Sequence, residues 1–197
     1  MLTKKHIPLL AIIGIALIYF TYIFATARNV EFLGYIAVIL LLGALIIWSN
    51  RTYRYSMTLL WGLTIWGLLH MAGGGIMIGG DILYKLILIP ISPEYQILKY
   101  DQFVHIFGFA AATLLAFELL RPMLNRDRLS WGAFGLVLVM AGLGFGALNE
   151  IIEFLMVVIL PETGVGGYVN TSLDLVSNLI GAVIAVLFIY KREKALK

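Results

Sequence analysis

Six long apolar stretches occupy most of the chain and restrict its fold more than any other feature. We expect each to be a helix, over residues 7–25, 33–48, 57–78, 102–120, 131–160 and 171–190. Most are near the roughly 20 residues that a helix needs to cross the hydrocarbon core of a bilayer. Because 61% of the residues are hydrophobic and only 13% are charged, a soluble domain of this composition would lack a polar surface. The sequence therefore predicts an all-α polytopic membrane protein, with six transmembrane helices forming one domain over residues 1–197.

The lysines and arginines lie unequally on the two sides that alternating helices define. Eleven of the 14 fall on one side: Lys4, Lys5, Arg51, Arg54, Arg121, Arg126, Arg128, Lys191, Arg192, Lys194 and Lys197. The other side has Arg28, Lys85 and Lys99. Basic residues are enriched in cytoplasmic loops, so we predict a multi-pass inner-membrane protein with both termini in the cytoplasm. The net charge of +3 fits attraction to anionic lipid head groups, and no nucleic-acid partner is expected.

The N-terminal region has a second interpretation. Lys4 and Lys5, the first apolar stretch and the small residues 25–27 imitate a secretory signal with its cleavage site. The apolar stretch is longer than most signal sequences, so we favour an uncleaved first helix; cleavage would leave the other five helices in the same orientation. The chain contains no cysteine, which excludes disulfides and thiolate ligands.

The region between the third and fourth stretches is too short to span a membrane. Residues 82–91 are apolar but include Lys85 and Pro90, with Pro93 close behind, so we predict an interfacial or re-entrant segment. Five glycines precede it: Gly73, Gly74, Gly75, Gly79 and Gly80. They either end the third helix and let the backbone bend near a bound group, or form a flexible loop. We find no internal repeat, which weakens a standard secondary-transporter interpretation.

Ionisable and amide side chains inside the apolar stretches indicate a site, because such groups are costly at membrane depth. They are His70, Asp101, His105, Glu150, Glu153, Asp174 and Asn178. With a rise of about 1.5 Å per residue and the orientation above, all of them fall in the outer half of the bilayer. We therefore expect helices three to six to direct them into one pocket facing away from the cytoplasm.

Imidazole and carboxylate groups are ordinary ligands of divalent zinc, manganese, iron or magnesium. We predict His70, Asp101, His105 and Asp174 as ligands and Glu150 or Glu153 as the general base. Thr171, Asn178, Tyr100 and Asn149 are predicted to orient these groups. Three of the predicted ligands have simpler explanations. Asp101 and Asp174 could be helix caps, and His70 could form a hydrogen bond between helices. Without a metal, the glutamate pair would suit a proton donor or relay.

Two further patterns concern helix packing. Gly142, Gly144 and Gly146 would let a neighbouring helix approach the fifth helix closely, with or without a site nearby. Glu118 lies near the cytoplasmic end of the fourth stretch, three residues from Arg121. We expect these two side chains to form an interfacial ion pair.

Four segments carry a resemblance: LHMAGG from Leu69, YDQFVHIFGF from Tyr100, NEIIEF from Asn149 and NTSLDLVSNLIGA from Asn170. In this order they resemble the signatures of the YjdF-type inner-membrane proteins, a family of unknown function. More distantly they resemble VanZ-like proteins, in which an acid and histidine on one helix precede a later glutamate and a final Asp-x-x-x-Asn face. One VanZ-like member is associated with glycopeptide-antibiotic resistance, which implies an envelope role. The chain departs from that pattern in lacking an arginine ahead of the final acids.

Three functions are compatible with these residues. The leading one is a metal-dependent hydrolase or transferase, or a binder, that acts on a lipid-linked or amphiphilic envelope substrate from the outer leaflet. The second is a proton- or ion-coupled transporter, since acids and histidines can relay protons between helices. The third is a non-catalytic scaffold in which the polar cluster fixes the helix register.

Overall fold

The computed structural model describes residues 3–92, 94–125 and 128–195, and six long helices account for most of them. They are α1 (Ile7–Thr26), α2 (Val30–Tyr53), α3 (Met57–Gly75), α4 (Tyr100–Leu120), α5 (Trp131–Ile159) and α6 (Tyr168–Ala195). Short 3₁₀ turns cover Lys4–His6, Leu83–Lys85 and Arg121–Met123. Pro93, Arg126 and Lys197, which entered the predictions above, lie outside the described residues.

Five of the helices are long and apolar enough to cross a membrane: α1, α2, α4, α5 and α6. Helix α3 has 19 residues, but its histidine, tryptophans and glycines dilute its hydropathy. It nevertheless packs inside the bundle, against α1 and α4. The all-α fold is therefore confirmed, whereas a sixth span and the cytoplasmic position of the termini stay predictions.

Helix α2 is longer than the predicted 33–48. It begins at Val30 because the Asn29 side chain accepts the backbone N–H of Phe32 at 3.1 Å and caps the helix. It continues through polar residues to Tyr53, and the left-handed backbone of Arg54, with a φ of 51°, terminates it. Hydropathy declines at the first polar residues, but helical hydrogen bonding does not stop there. For the same reason α6 covers Tyr168–Ala195 rather than 171–190.

Helix α3 ends at Gly75, earlier than the predicted residue 78. Met77–Ile78 instead pairs with Asp81–Ile82 as strands β1 and β2 of an antiparallel hairpin. Gly79 and Gly80 connect them with φ angles of 62° and 96°, which a type I′ turn requires. Gly73, Gly74 and Gly75 remain helical, and a Cβ at each would collide with the ring of a neighbouring aromatic side chain. These three glycines thus provide space for aromatic packing.

Helix α4 is central and packs against α3, α5 and, most extensively, α6. Small residues permit this proximity: a Cβ on Gly181 would touch the backbone carbonyl of Ile106, and one on Gly142 would touch Thr113. Gly146 lies against Asn178 in the same way. Close packing is therefore confirmed for Gly142 and Gly146. It is wrong for Gly144, which has no such neighbour among the described residues.

The chain termini lie at the same end of the bundle, where one apolar cluster contains Leu9, Leu59, Phe117 and Ile189. Glu118 is buried at this end. The predicted ion pair with Arg121 is wrong, because Arg121 begins an exposed 3₁₀ turn.

The carboxylate of Glu118 instead accepts the Ser56 hydroxyl and the Ser56 backbone N–H, the latter at 2.8 Å. Arg192 of α6 lies 4.0 Å from the same carboxylate. These contacts join the start of α3 to the ends of α4 and α6.

Candidate metal centre and cavity

The opposite end of the bundle contains a polar cavity of about 250 Å³. Its walls come from α2, α3, α4, α5 and α6 together with the segments that connect them. The polar lining residues are Glu31, Tyr35, His70, Tyr84, Lys85, Gln96, Lys99, Asp101, His105, Asn149, Glu153 and Asn170. Four of the residues predicted from the sequence as ligands or bases, His70, Asp101, His105 and Glu153, thus line one cavity.

His105 is the centre of this arrangement. It lies one turn after Asp101 on α4, and only 7% of its surface is exposed. The Asn178 carboxamide oxygen lies 3.0 Å from Nδ1 and, in this orientation of the amide, accepts its proton. In the neutral imidazole this leaves the lone pair on Nε2, which lies 3.8 Å from Asp101 Oδ1. Asn178 therefore sets the tautomer that presents Nε2 as a ligand atom.

Asp174 lies on α6, one turn before Asn178, and is fully buried. Its Oδ2 accepts a hydrogen bond from Asn170 at 2.5 Å. Its Oδ1 has no hydrogen-bond partner among the residues that the structure describes. A buried carboxylate oxygen without a donor is costly, so this atom indicates a site that suits a cation.

Asn170 connects the two aspartates. Its Nδ2 group also donates to Asp101 at 3.3 Å, and its Oδ1 accepts from the Lys99 ammonium at 2.9 Å. The network holds both carboxylates in place while neutralising part of their charge. We did not predict this role, although residues 170, 174 and 178 follow one helical face at a spacing of four.

Asp101, His105 and Asp174 form a group in which one ligand atom from each lies within 4.8 Å of the others. Ligand atoms around a shared zinc ion lie about 2.0–2.2 Å from it, hence at most about 4.4 Å apart. Small side-chain rotations would close the difference. The donor set, one imidazole nitrogen and two carboxylates, suits zinc, manganese or iron.

His105 also belongs to a second group, with Glu150 and Glu153. Glu150 Oε1 lies 3.9 Å from Nδ1 of His105 and accepts no hydrogen bond within the described part of the chain. Glu153 lines the cavity and accepts the Asn149 amide at 2.8 Å. Because Nδ1 is occupied by Asn178, the group with Asp101 and Asp174 is the better ligand set. Of the two glutamates, Glu153 is the one that lines the cavity.

His70 lies apart from both groups. Its Nδ1 is 2.6 Å from the Tyr84 hydroxyl, which belongs to the connection between α3 and α4. Burial, followed by the charges of Asp101 and Glu153, raises the pKa of Tyr84 well above its usual value. Tyr84 therefore keeps its hydroxyl proton and can donate it to Nδ1 in the His70 tautomer that carries its own proton on Nε2. The fourth predicted ligand thus lines the cavity but does not join the other three.

The residues predicted to orient the site have different surroundings. Asn178 and Asn149 contact His105 and Glu153, as described above, and Thr171 lies beside Glu150. Tyr100 donates its hydroxyl to the Leu69 backbone carbonyl at 3.1 Å. Tyr100 therefore attaches the start of α4 to α3 and is not part of the cavity lining.

Glu31 on α2 is a cavity residue that the sequence did not reveal. It is 9% exposed, and its Oε2 accepts the Gly164 backbone N–H at 2.7 Å. Tyr35, one turn later, donates to the other carboxylate oxygen at 3.5 Å. Gly164 lies in the connection between α5 and α6, 133 positions away in the chain, so no local pattern indicates this contact.

Comparison with known proteins gives a family but no close relative. No curated protein and no solved structure matches the chain. One family model, described as "Predicted membrane protein (DUF2238)", matches residues 7–195 and therefore includes all six helices. This agrees with the resemblance to YjdF-type membrane proteins, whereas the link to VanZ-like proteins is not shown. The chain belongs to the DUF2238 family of predicted membrane proteins.

Proposed function

We propose that a divalent cation binds through Asp101 and His105 of the cavity wall and through Asp174, which is buried and does not itself line the cavity, and that the protein is a membrane-embedded hydrolase or transferase. The single observation that carries this proposal is Asp174. Its carboxylate is fully buried, one oxygen has no partner in the described chain, and it shares a 4.8 Å group with the other two ligand atoms. A divalent cation would compensate the repulsion between the two aspartates.

The cation would supply Lewis-acid polarisation of the substrate. The other chemistry comes from side chains that line the cavity. Glu153, held by Asn149, is the general base: it takes a proton from water, or from an acceptor hydroxyl in a transferase, as the oxygen attacks the substrate. The same proton then passes to the leaving group. Asn178 keeps His105 in the ligating tautomer.

The lining also supports an amphiphilic substrate, as we expect for a lipid-linked envelope molecule of the outer leaflet. Beside the polar groups, the cavity wall includes Phe32, Trp66, Val104 and Phe109. A polar head group can meet the carboxylates and histidines while an apolar portion contacts these rings. An inner-membrane location with cytoplasmic termini would place the cavity on the envelope side.

The packing at the end of the bundle that carries the chain termini favours a hydrolase or transferase over a transporter. A relay would need polar groups that continue from the cavity towards the termini. Midway along α4, Thr113 donates its hydroxyl to the Phe109 carbonyl of its own helix at 2.7 Å. Beyond it, the apolar cluster that includes Leu114 and Leu138 fills the bundle.

Metal analysis of the purified full-length chain tests the proposal. After dialysis against a chelator, the protein is loaded separately with zinc, manganese, iron or magnesium, and the bound metal is measured by mass spectrometry. We expect about one ion per chain for at least one of these metals. Asp174→Asn and His105→Ala should lose it, while Glu94→Gln, at an exposed carboxylate, should retain it.

The alternatives predict different results. Absence of stoichiometric metal in the wild-type protein would overturn the metal centre. Substrate-dependent proton flux in proteoliposomes would then favour a transporter. Loss of thermal stability in Asp174→Asn, without any metal bound by the wild type, would favour a scaffold in which the polar cluster fixes helix register.

A further inference from the structure

The connection between α3 and α4, residues 76–92 and 94–99, exposes many apolar side chains. We call these residues the α3–α4 segment. Eight apolar residues in it are between 37% and 62% exposed: Ile76, Met77, Ile78, Leu86, Ile87, Leu88, Ile89 and Ile91. Water would solvate such a surface poorly, and large exposed apolar patches usually mark a protein or membrane contact.

The backbone of the segment is hydrogen-bonded to itself. Leu83 donates to the Ile76 carbonyl at 2.9 Å, beside the hairpin of β1 and β2. Further on, Leu88 donates to Leu98 at 2.9 Å and Tyr100 donates to Leu86 at 2.8 Å. This pairing reduces the number of polar backbone groups that need water. Irregular backbone can therefore lie in the interfacial region of a bilayer at low cost.

The lengths of the helices indicate the depth of the segment. The 19 residues of α3 span about 28 Å, close to the ~30 Å thickness of the hydrocarbon core. Because the segment starts directly after α3 and ends where α4 begins, a bundle that crosses the bilayer along these helices would place it at one boundary of that core. Polar groups are compatible with this position: Asp81 pairs with Lys85 at 2.8 Å, and half-exposed Tyr95 is typical of membrane interfaces.

We propose that the α3–α4 segment is a lipid-binding surface that inserts its apolar side chains into the bilayer leaflet at the cavity end of the bundle. The occupant is bilayer phospholipid, because the segment leads directly into α4, one of the five membrane-length helices, and exposes apolar side chains as α1, α2, α5 and α6 do. Tyr84 and Lys85 belong to this segment and also line the cavity. The cavity therefore meets lipid head groups, and, if the proposed function holds, its substrate comes from the same leaflet.

The absence of cysteine makes a site-specific test direct, since every introduced cysteine is the only one in the chain. Ile78→Cys and Ile89→Cys are labelled with an environment-sensitive fluorophore and reconstituted into phosphatidylcholine vesicles. Leu41→Cys, on the exposed surface of α2, is the lipid-facing control. Glu162→Cys, in the exposed connection between α5 and α6, is the aqueous control. Spin-labelled lipid and aqueous iodide are the two quenchers.

We expect labels at residues 78 and 89 to be quenched by spin-labelled lipid at least half as strongly as the label at residue 41. Iodide should quench them less than the label at residue 162. Iodide quenching equal to that control, without lipid quenching, would overturn the proposal. So would a blue-shifted label that neither quencher reaches, because it would indicate burial against protein, such as a second copy.

Two labelled positions, each checked by thermal unfolding, protect the test against one variant that fails to fold. The result is also separable from the metal centre. Lipid quenching that persists in a protein without stoichiometric metal would retain the lipid surface while rejecting the proposed function.

Discussion

Gly181→Ala should destabilise the protein because α4 and α6 are in backbone contact at this position. The added Cβ would meet the Ile106 carbonyl oxygen and lie 3.0 Å from the Ala110 nitrogen. Neither atom can rotate away, as the end of a flexible side chain would. Ordinary contacts between heavy atoms are about 3.5 Å or longer, so the helices must separate by roughly 1 Å.

The separation has two costs. Overpacking of this kind costs about 1–3 kcal/mol. The hydrogen bond between His105 and Asn178, 3.0 Å long, crosses the same helix pair, and its stretching would cost about 1 kcal/mol more. The higher helix propensity of alanine offsets up to about 1 kcal/mol of this destabilisation. The expected net loss is therefore about 1–3 kcal/mol in the free energy of unfolding.

Gly144→Ala is the matched control, because a Cβ there meets no described atom within 4 Å. It should be neutral or stabilising by up to about 1 kcal/mol, through helix propensity alone. Thermal and denaturant unfolding in the same detergent, followed by circular dichroism, measures both variants. If Gly181→Ala were as stable as Gly144→Ala, the close α4 and α6 contact, and the site geometry built on it, would be refuted.

Three further outcomes follow from the same contacts. Tyr84→Phe removes the hydroxyl that is hydrogen-bonded to His70 but no proposed ligand atom, so the metal content should stay unchanged. Loss of metal would contradict the placement of His70 outside the ligand group. Asn178→Leu removes the amide that fixes the His105 tautomer and should weaken metal affinity by about 10- to 100-fold in a competition titration. An unchanged affinity would disprove the orienting role. Glu118→Ala removes the buried acceptor at the start of α3 and should lower unfolding stability by about 1–3 kcal/mol, with metal content unaffected.

The number and type of the helices could be predicted because hydropathy and helical periodicity are local properties. The same local reasoning indicated that Asp101, His105 and Asp174 lie towards one end, and the structure brings them into one group. The ends of the helices were harder to predict. Helix α2, for example, extends through polar residues to Tyr53 because its capping residues, not its hydropathy, define where it begins and ends. The prediction that Glu118 pairs with Arg121 was wrong for a related reason, because Arg121, the nearest arginine in sequence, lies outside the helix.

Local sequence properties were enough to indicate an apolar helical bundle whose rare ionisable side chains fall near one end, because hydropathy and helical spacing can be read within each segment. Which of those side chains meet depends on how the helices pack. Gly181 and Gly146 set how closely α6 approaches its neighbours, and this approach places Asp174 and Asn178 beside His105. The separation of His70 from the ligand group and the contact of Glu31 with Gly164 depend on long-range packing, which no local pattern encodes.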